Sequence, residues 1–121
     1  MKGLVLLGHG SKVPGFEEVM EYHKKRIEEM SIFDQIEIAY ASAEPGVVEI
    51  MDKINCGDVY IVPLFMAHGA HMEELPSLLG LKGKSGEYKG KRVFICNYIG
   101  KSELITHAII NSAVVEMKSQ K

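Results

Sequence analysis

The sequence is short of cysteine, of any excess charge and of long apolar runs. Only 2 of its 121 residues are cysteine, Cys56 and Cys96. Two thiols cannot build a disulfide scaffold, so reduced thiols and a cytoplasmic setting are expected. Lysine and arginine number 14 against 16 aspartates and glutamates, a net charge of -2. That balance speaks against a nucleic-acid binder. With 46% apolar residues it also speaks against disorder. No apolar run reaches the roughly 18 residues of a membrane span, so no membrane partner is expected. The start, Met1-Lys2-Gly3-Leu4-Val5-Leu6-Leu7-Gly8, is too short in its apolar part for a secretory leader and predicts a strand. Repeats, low-complexity tracts and linkers are absent, and 121 residues fit one domain spanning 1–121.

What is present is an alternation of short apolar runs with longer amphipathic segments, the pattern of βαβ units. Strands are predicted over 3–7, 36–40, 59–62 and 93–96. A first helix is predicted over 14–30, where Phe16, Val19, Met20, His23, Ile27 and Met30 recur at helical spacing. His23 shares that apolar face and reads as a packing histidine. Glu44-Pro45 opens a second helix that runs to Ile54, and a short third helix covers 71–80. Residues 82–90 read as a Gly/Lys loop, whose basic residues could steer a polyanion or simply be solvated. The last helix, over 101–117, has Leu104, Ala108, Ile109 and Val115 as buried candidates. Together these give a single three-layer, flavodoxin-like α/β domain with a four-stranded parallel sheet in the order 2-1-3-4. Ligands of such sheets bind beyond the carboxyl ends of the strands. That rule points at residues 8–13, 64–72 and 97–101.

Two of these loops carry histidine. In Gly8-His9-Gly10-Ser11 the glycines leave the imidazole uncrowded, and bare N–H groups can face an anion. In Pro63-Leu64-Phe65-Met66-Ala67-His68-Gly69-Ala70-His71, two histidines three apart would share one side of a helical turn. Imidazoles from separated loops suit a borderline divalent metal. Two or three imidazoles leave coordination positions open, which favours transfer over storage. Glu73 and Glu74 follow at once and could orient a histidine or accept protons. Cys96 is a conceivable soft ligand, but a small buried hydrophobe is the default.

The arrangement resembles a known family. It comprises Gly8-His9-Gly10-Ser11 after an N-terminal strand, Val62-Pro63-Leu64-Phe65-x-x-His68-Gly69-x-His71, Leu75-Pro76-x-Leu78-Leu79-Gly80, and Ile99-Gly100 before a helix with Ala108-Ile109-Ile110-Asn111. These motifs are similar to those of the short, archaeal CbiX-type sirohydrochlorin cobaltochelatases of the class II chelatase superfamily. The resemblance implies a chelatase-like α/β domain that pairs into a homodimer around a tetrapyrrole. It implies insertion of Co²⁺, and in methanogen relatives Ni²⁺, into sirohydrochlorin or its diamide during cobalamin or related biosynthesis. The metal is then a substrate, and no tightly bound cofactor is expected. His9 and His71 map onto the family's metal-binding, catalytic histidines; His68 is secondary. Glu73 or Glu74 would relay protons. Gly10, Ser11 and Lys12 would meet the substrate's carboxylates, and Leu64, Phe65 and Met66 its macrocycle. Two departures stand out. Only Met72-Glu73-Glu74-Leu75 separate His71 from Pro76, one residue fewer than usual, and Asn97-Tyr98 replaces a Glu-Pro pair.

Three other functions compete with metal insertion. A metal or tetrapyrrole carrier without catalysis would use the same histidines. A histidine phosphatase would place arginine before the histidine, where Gly8 stands. A flavodoxin-like nucleotide binder has the fold alone in its favour, without a Gly-x-Gly-x-x-Gly run.

Overall fold

A five-stranded sheet in the order β2-β1-β3-β5-β4 forms the centre of the computed structural model, which describes residues 1–10 and 14–120. β1 (Lys2–Gly8) lies between β2 (Gln35–Tyr40) and β3 (Asp58–Pro63), parallel to both. It is buried from Gly3 to Gly8, as expected of a central strand covered on both faces. β5 (Lys91–Ile95) runs parallel to β3. The four parallel strands therefore follow the predicted order, strand for strand.

The fifth strand is a correction. β4 (Ser85–Tyr88) lies where a Gly/Lys loop is predicted, and it pairs antiparallel with β5 at the sheet edge. Lys89 and Gly90 both take positive φ, at 48° and 84°. Two consecutive left-handed residues make the tight turn that matches the twist of a hairpin. β4 carries no buried residue, and edge strands are commonly polar. The basic residues here are largely tied down. Lys89 pairs with Asp52 at 3.0 Å and Arg92 with Asp58 at 2.7 Å; Lys84 bonds Asn97, and Lys91 bonds the Met51 carbonyl. They hold the hairpin to the domain.

Alternation along the strands builds two cores. Val5, Leu7, Val59, Ile61, Val93 and Ile95 face α2 (Val47–Lys53) and α3 (Ala70–Leu78). Leu4, Leu6 and Ile36 face α1 (Phe16–Glu29) through Met20. α2 begins at Val47 rather than at Glu44-Pro45. The Pro45 carbonyl instead accepts the Tyr40 N–H at 2.9 Å, which folds the connection back on the end of β2. His23 is exposed, its ring edge-on to Tyr22, and does not pack inward.

The last helix departs most from expectation. After a 3-10 turn (Ile99–Lys101), α4 (Glu103–Ser119) has no buried residue. Leu104 is 76% exposed, Ile109 61% and Val115 58%. Ala108 is exposed too. Among the described residues no helix is long and apolar enough to cross a membrane.

Candidate histidine site at the carboxyl end of the sheet

Parallel strands deliver their following loops to one edge, so the segments after β1 and β3 meet there. The His9 backbone is fixed by Ser42, whose N–H donates to the His9 carbonyl at 2.8 Å and whose hydroxyl donates to it at 2.7 Å. The Ala41 N–H does the same for the Gly8 carbonyl at 2.8 Å. Little room is left for a side chain on either flank. A methyl on Gly8 would meet the Phe16 ring at 2.8 Å, and one on Gly10 would meet Ser42 Oγ at 2.6 Å. Nothing in the sequence marks Ser42 as the partner of this turn.

The His9 imidazole stacks on Phe65, with ring centroids 4.1 Å apart and 25° between planes. His71 stands in the first turn of α3, its ring centroid 5.5 Å from that of His9. Residues far apart in sequence thus place two imidazoles side by side. His9 is exposed on its cleft side, but Phe65 strips water from one ring face. That desolvation, followed by the proximity of His71, holds His9 below the ordinary histidine pKa of 6.5. The neutral, metal-binding form is favoured.

The remaining candidates separate into distinct neighbourhoods. His68 precedes α3 and does not join the His9–His71 pair; its Nε2 lies 2.7 Å from Glu73 Oε1, and its ring lies against Tyr98. Glu74 lies 4.0 Å from His71 Nδ1. Gly10, Leu64 and Met66 line a cleft of about 550 Å³ beside His9, with Phe16 and Ala67 on its walls. Phe65 is a correction: only 1% exposed, it is the floor beneath His9 and not a cleft wall. Ser11 and Lys12 lie outside the described residues. On the other side, His71 and Glu74 border a second cleft of about 370 Å³, with Glu44 and Glu49 on its rim. The histidine pair therefore sits between an apolar cleft and one edged by carboxylates.

Among the described residues no group of three His, Cys, Asp or Glu side chains is placed to hold a metal. Burial raises the Cys96 thiol pKa, opposed by Lys84, so Cys96 stays protonated. The third loop reaches the site through its backbone. The Gly100 N–H donates to the Phe65 carbonyl at 2.9 Å, and a methyl at Gly100 would overlap the Met66 carbonyl.

Comparison with known proteins identifies the family and the fold. The family model CbiX matches residues 3–115. The sirohydrochlorin cobaltochelatase of Methanococcus aeolicus is 37% identical over 86 residues, covering 67% of this chain and 60% of that protein. That of Methanopyrus kandleri is 36% identical over 87 residues, covering 68% and 61%. The chain thus spans about three fifths of the length of these relatives. The sirohydrochlorin cobaltochelatase of Saccharolobus islandicus aligns over 119 residues, 91% of both chains, at 27% identity. Among solved structures, the CbiX protein of Marinobacter aquaeolei superposes with a TM-score of 0.73 at 25% identity, covering 98% of this chain and 99% of that one. A multi-domain protein of Deinococcus radiodurans shares the fold, with a TM-score of 0.74 at 24% identity over 92% of this chain and 28% of that one. With the family model matching nearly its whole length, this chain belongs to the CbiX family.

Proposed function

We propose that this chain inserts a divalent metal, Co²⁺ or Ni²⁺, into sirohydrochlorin, within cobalamin or related tetrapyrrole biosynthesis. The observation that carries this is the convergence of His9 and His71, ring centroids 5.5 Å apart, at the mouth of an apolar cleft. Relatives named sirohydrochlorin cobaltochelatase support the choice of substrate. Residues 1–121 act as one chelatase-like unit, two copies pairing around the macrocycle. The cytoplasm, where Cys56 and Cys96 stay thiols, is its compartment.

The chemistry follows from the pair. Insertion takes a hydrated cation, removes its water and replaces the pyrrole N–H protons with metal–nitrogen bonds. A four-ligand protein site would hold the ion too firmly. Two neutral imidazoles add no charge and leave the remaining positions to water or incoming pyrrole nitrogens. Low proton affinity at His9 keeps its lone pair on the metal. Glu74, 4.0 Å from His71 Nδ1, is placed to orient that ring. Glu73 and His68, joined at 2.7 Å, form a pair through which a released proton can leave. Leu64 and Met66 offer an apolar wall to the macrocycle, with Gly10 beside them; from their place in the sequence, Ser11 and Lys12 are assigned to its carboxylates.

The test is to mix protein, sirohydrochlorin and Co²⁺ or Ni²⁺, and follow the absorption change against the uncatalysed rate. Insertion well above that rate is expected. Clear binding of either substrate with no acceleration would instead identify a carrier.

A further inference from the structure

The cations of the β4–β5 hairpin are not equivalent. Lys89 is paired with Asp52 and Arg92 with Asp58, so a carboxylate answers each charge. Lys84 is held by a neutral group instead: its ammonium donates to Asn97 Oδ1. Among the described residues it forms no ion pair. An amide oxygen fixes the direction of an ammonium and leaves its charge intact. Lys84 is thus anchored, exposed and uncompensated.

Its place is the carboxyl edge of the sheet. β4 runs antiparallel to β5, so β4 begins where β5 ends. The Ile95 N–H donates to the Lys84 carbonyl at 2.7 Å and holds it there. The loops after β1, β3 and β5 and the start of β4 therefore follow one another along the edge that carries the histidine pair. Two strand spacings, about 10 Å, separate β3 from β4. Side chains bridge that gap in turn. His68 lies against Tyr98, Tyr98 adjoins Asn97, and Asn97 receives Lys84.

A cleft of about 250 Å³ opens at this point, lined by Asn97, Tyr98, Lys101 and Ser102. Among the described residues no carboxylate lines it. Lys101 is exposed and, like Lys84, forms no ion pair among them. Glu103 follows on α4 and pairs with neither lysine. Ser102 Oγ is engaged in capping α4, where it accepts the Leu104 N–H at 3.2 Å. What remains are donors: two ammonium groups, the Asn97 amide NH₂ and the Tyr98 hydroxyl. Such a set takes an anion.

We propose that Lys84 and Lys101, with Asn97 and Tyr98 between them, form a carboxylate-binding subsite that anchors one acid side chain of the tetrapyrrole and so orients the macrocycle over the histidine pair. This deepens the functional reading above and rests on the substrate named there. The ligand class follows from charge and place. A macrocycle centred on His9 and His71 extends its rim one to two strand spacings along the edge, and its rim bears the acids. Lys84 exchanges no proton with the substrate; it binds and positions.

The experiment titrates sirohydrochlorin without metal into the full chain, following its absorption, for wild type, Lys84→Gln, Lys84→Arg, Lys101→Gln and Asn97→Asp. Circular dichroism checks each fold. Lys84→Gln and Lys101→Gln are each expected to weaken binding about 10-fold, and Lys84→Arg to retain most of it. Asn97→Asp separates recognition from mere support. It gives Lys84 a carboxylate, which strengthens the tie to the hairpin and cancels the charge that the subsite needs. The subsite predicts a loss of about 10-fold there too, whereas a purely structural tie predicts binding kept. Unchanged binding in Lys84→Gln or in Asn97→Asp overturns the proposal. Co²⁺ affinity, measured alone, is expected to stay the same in every variant, and a parallel loss would mean a displaced histidine loop and overturn it as well. Inorganic phosphate is the competing probe. If the variants change only its inhibition and not sirohydrochlorin binding, the cleft serves a free anion and the assignment falls. A wild type that binds no sirohydrochlorin sinks both readings. Insertion with binding indifferent to the variants spares the function and sinks the subsite. Charge-dependent binding without insertion does the reverse.

Discussion

Phe65 shows how one buried side chain sets the chemistry of an exposed one. Its ring lies 4.1 Å from that of His9, and the burial it contributes, with His71 as the second cause, makes His9 hold a proton less readily than free histidine. Phe65→Ala would remove that floor and cost about 3–5 kcal/mol of stability. Phe65→Leu is more informative, because the core stays filled. Its expected signature is a His9 pKa that moves up toward 6.5, read by NMR titration. The sign of the pH dependence follows from the same residue. A histidine whose folded pKa is depressed favours the folded state when neutral. That contribution is present above the unfolded value of 6.5 and is lost as pH falls from there through the folded value. Insertion should therefore persist somewhat below pH 6.5 and then fall as His9 protonates. A pH–rate profile already collapsing above that value would contradict the account. Glu74→Gln should slow insertion about 10–100-fold with folding intact, as loss of a ring-orienting carboxylate does. Strand order brings the loops after β1 and β3 together, which made His9 beside His68 and His71 legible; the choice of His71 over His68 came from the family resemblance. The division of labour between Glu73 and Glu74 was not legible. It depends on where α3 starts, and at Ala70 the helix sends Glu74 toward His71 and leaves Glu73 to His68.

At the scale of elements, the parallel strands could be read because buried strands are continuous apolar runs. β4 could not, because its sequence, Ser85-Gly86-Glu87-Tyr88, is that of a solvated edge. The positive φ values at Lys89 and Gly90 that close the hairpin are seen only in the structure. The Ile99-Gly100 pair gains a physical meaning from the fold. Gly100 presses against the backbone of the loop that carries His68, so its side chain must be hydrogen. Gly100→Ala should cost about 1–3 kcal/mol by urea unfolding, as overpacking does, and should lower insertion by displacing that loop. Gly83 is the control, since a methyl there meets nothing within 4 Å, and Gly83→Ala should change stability by less than about 0.5 kcal/mol. Equal effects at the two positions would remove the clamp from the account.

For the whole molecule, hydrophobic pattern says that a helix must be covered, but not by which copy of the chain. Leu104, Ala108, Ile109 and Val115 are apolar where a buried helix needs them, yet all stay exposed on α4. On the β3–β5 half of the sheet face, Tyr60, Val62, Leu64 and Phe94 are likewise only half-buried. The cleft beside His9, about 550 Å³, is open to solvent.

The central claim is that His9 and His71 jointly present the metal. Its most direct test is Co²⁺ insertion into sirohydrochlorin by wild type, His9→Ala and His71→Ala, each confirmed folded. The account predicts a drop of about 100-fold or more in either variant. Turnover retained in both would contradict it.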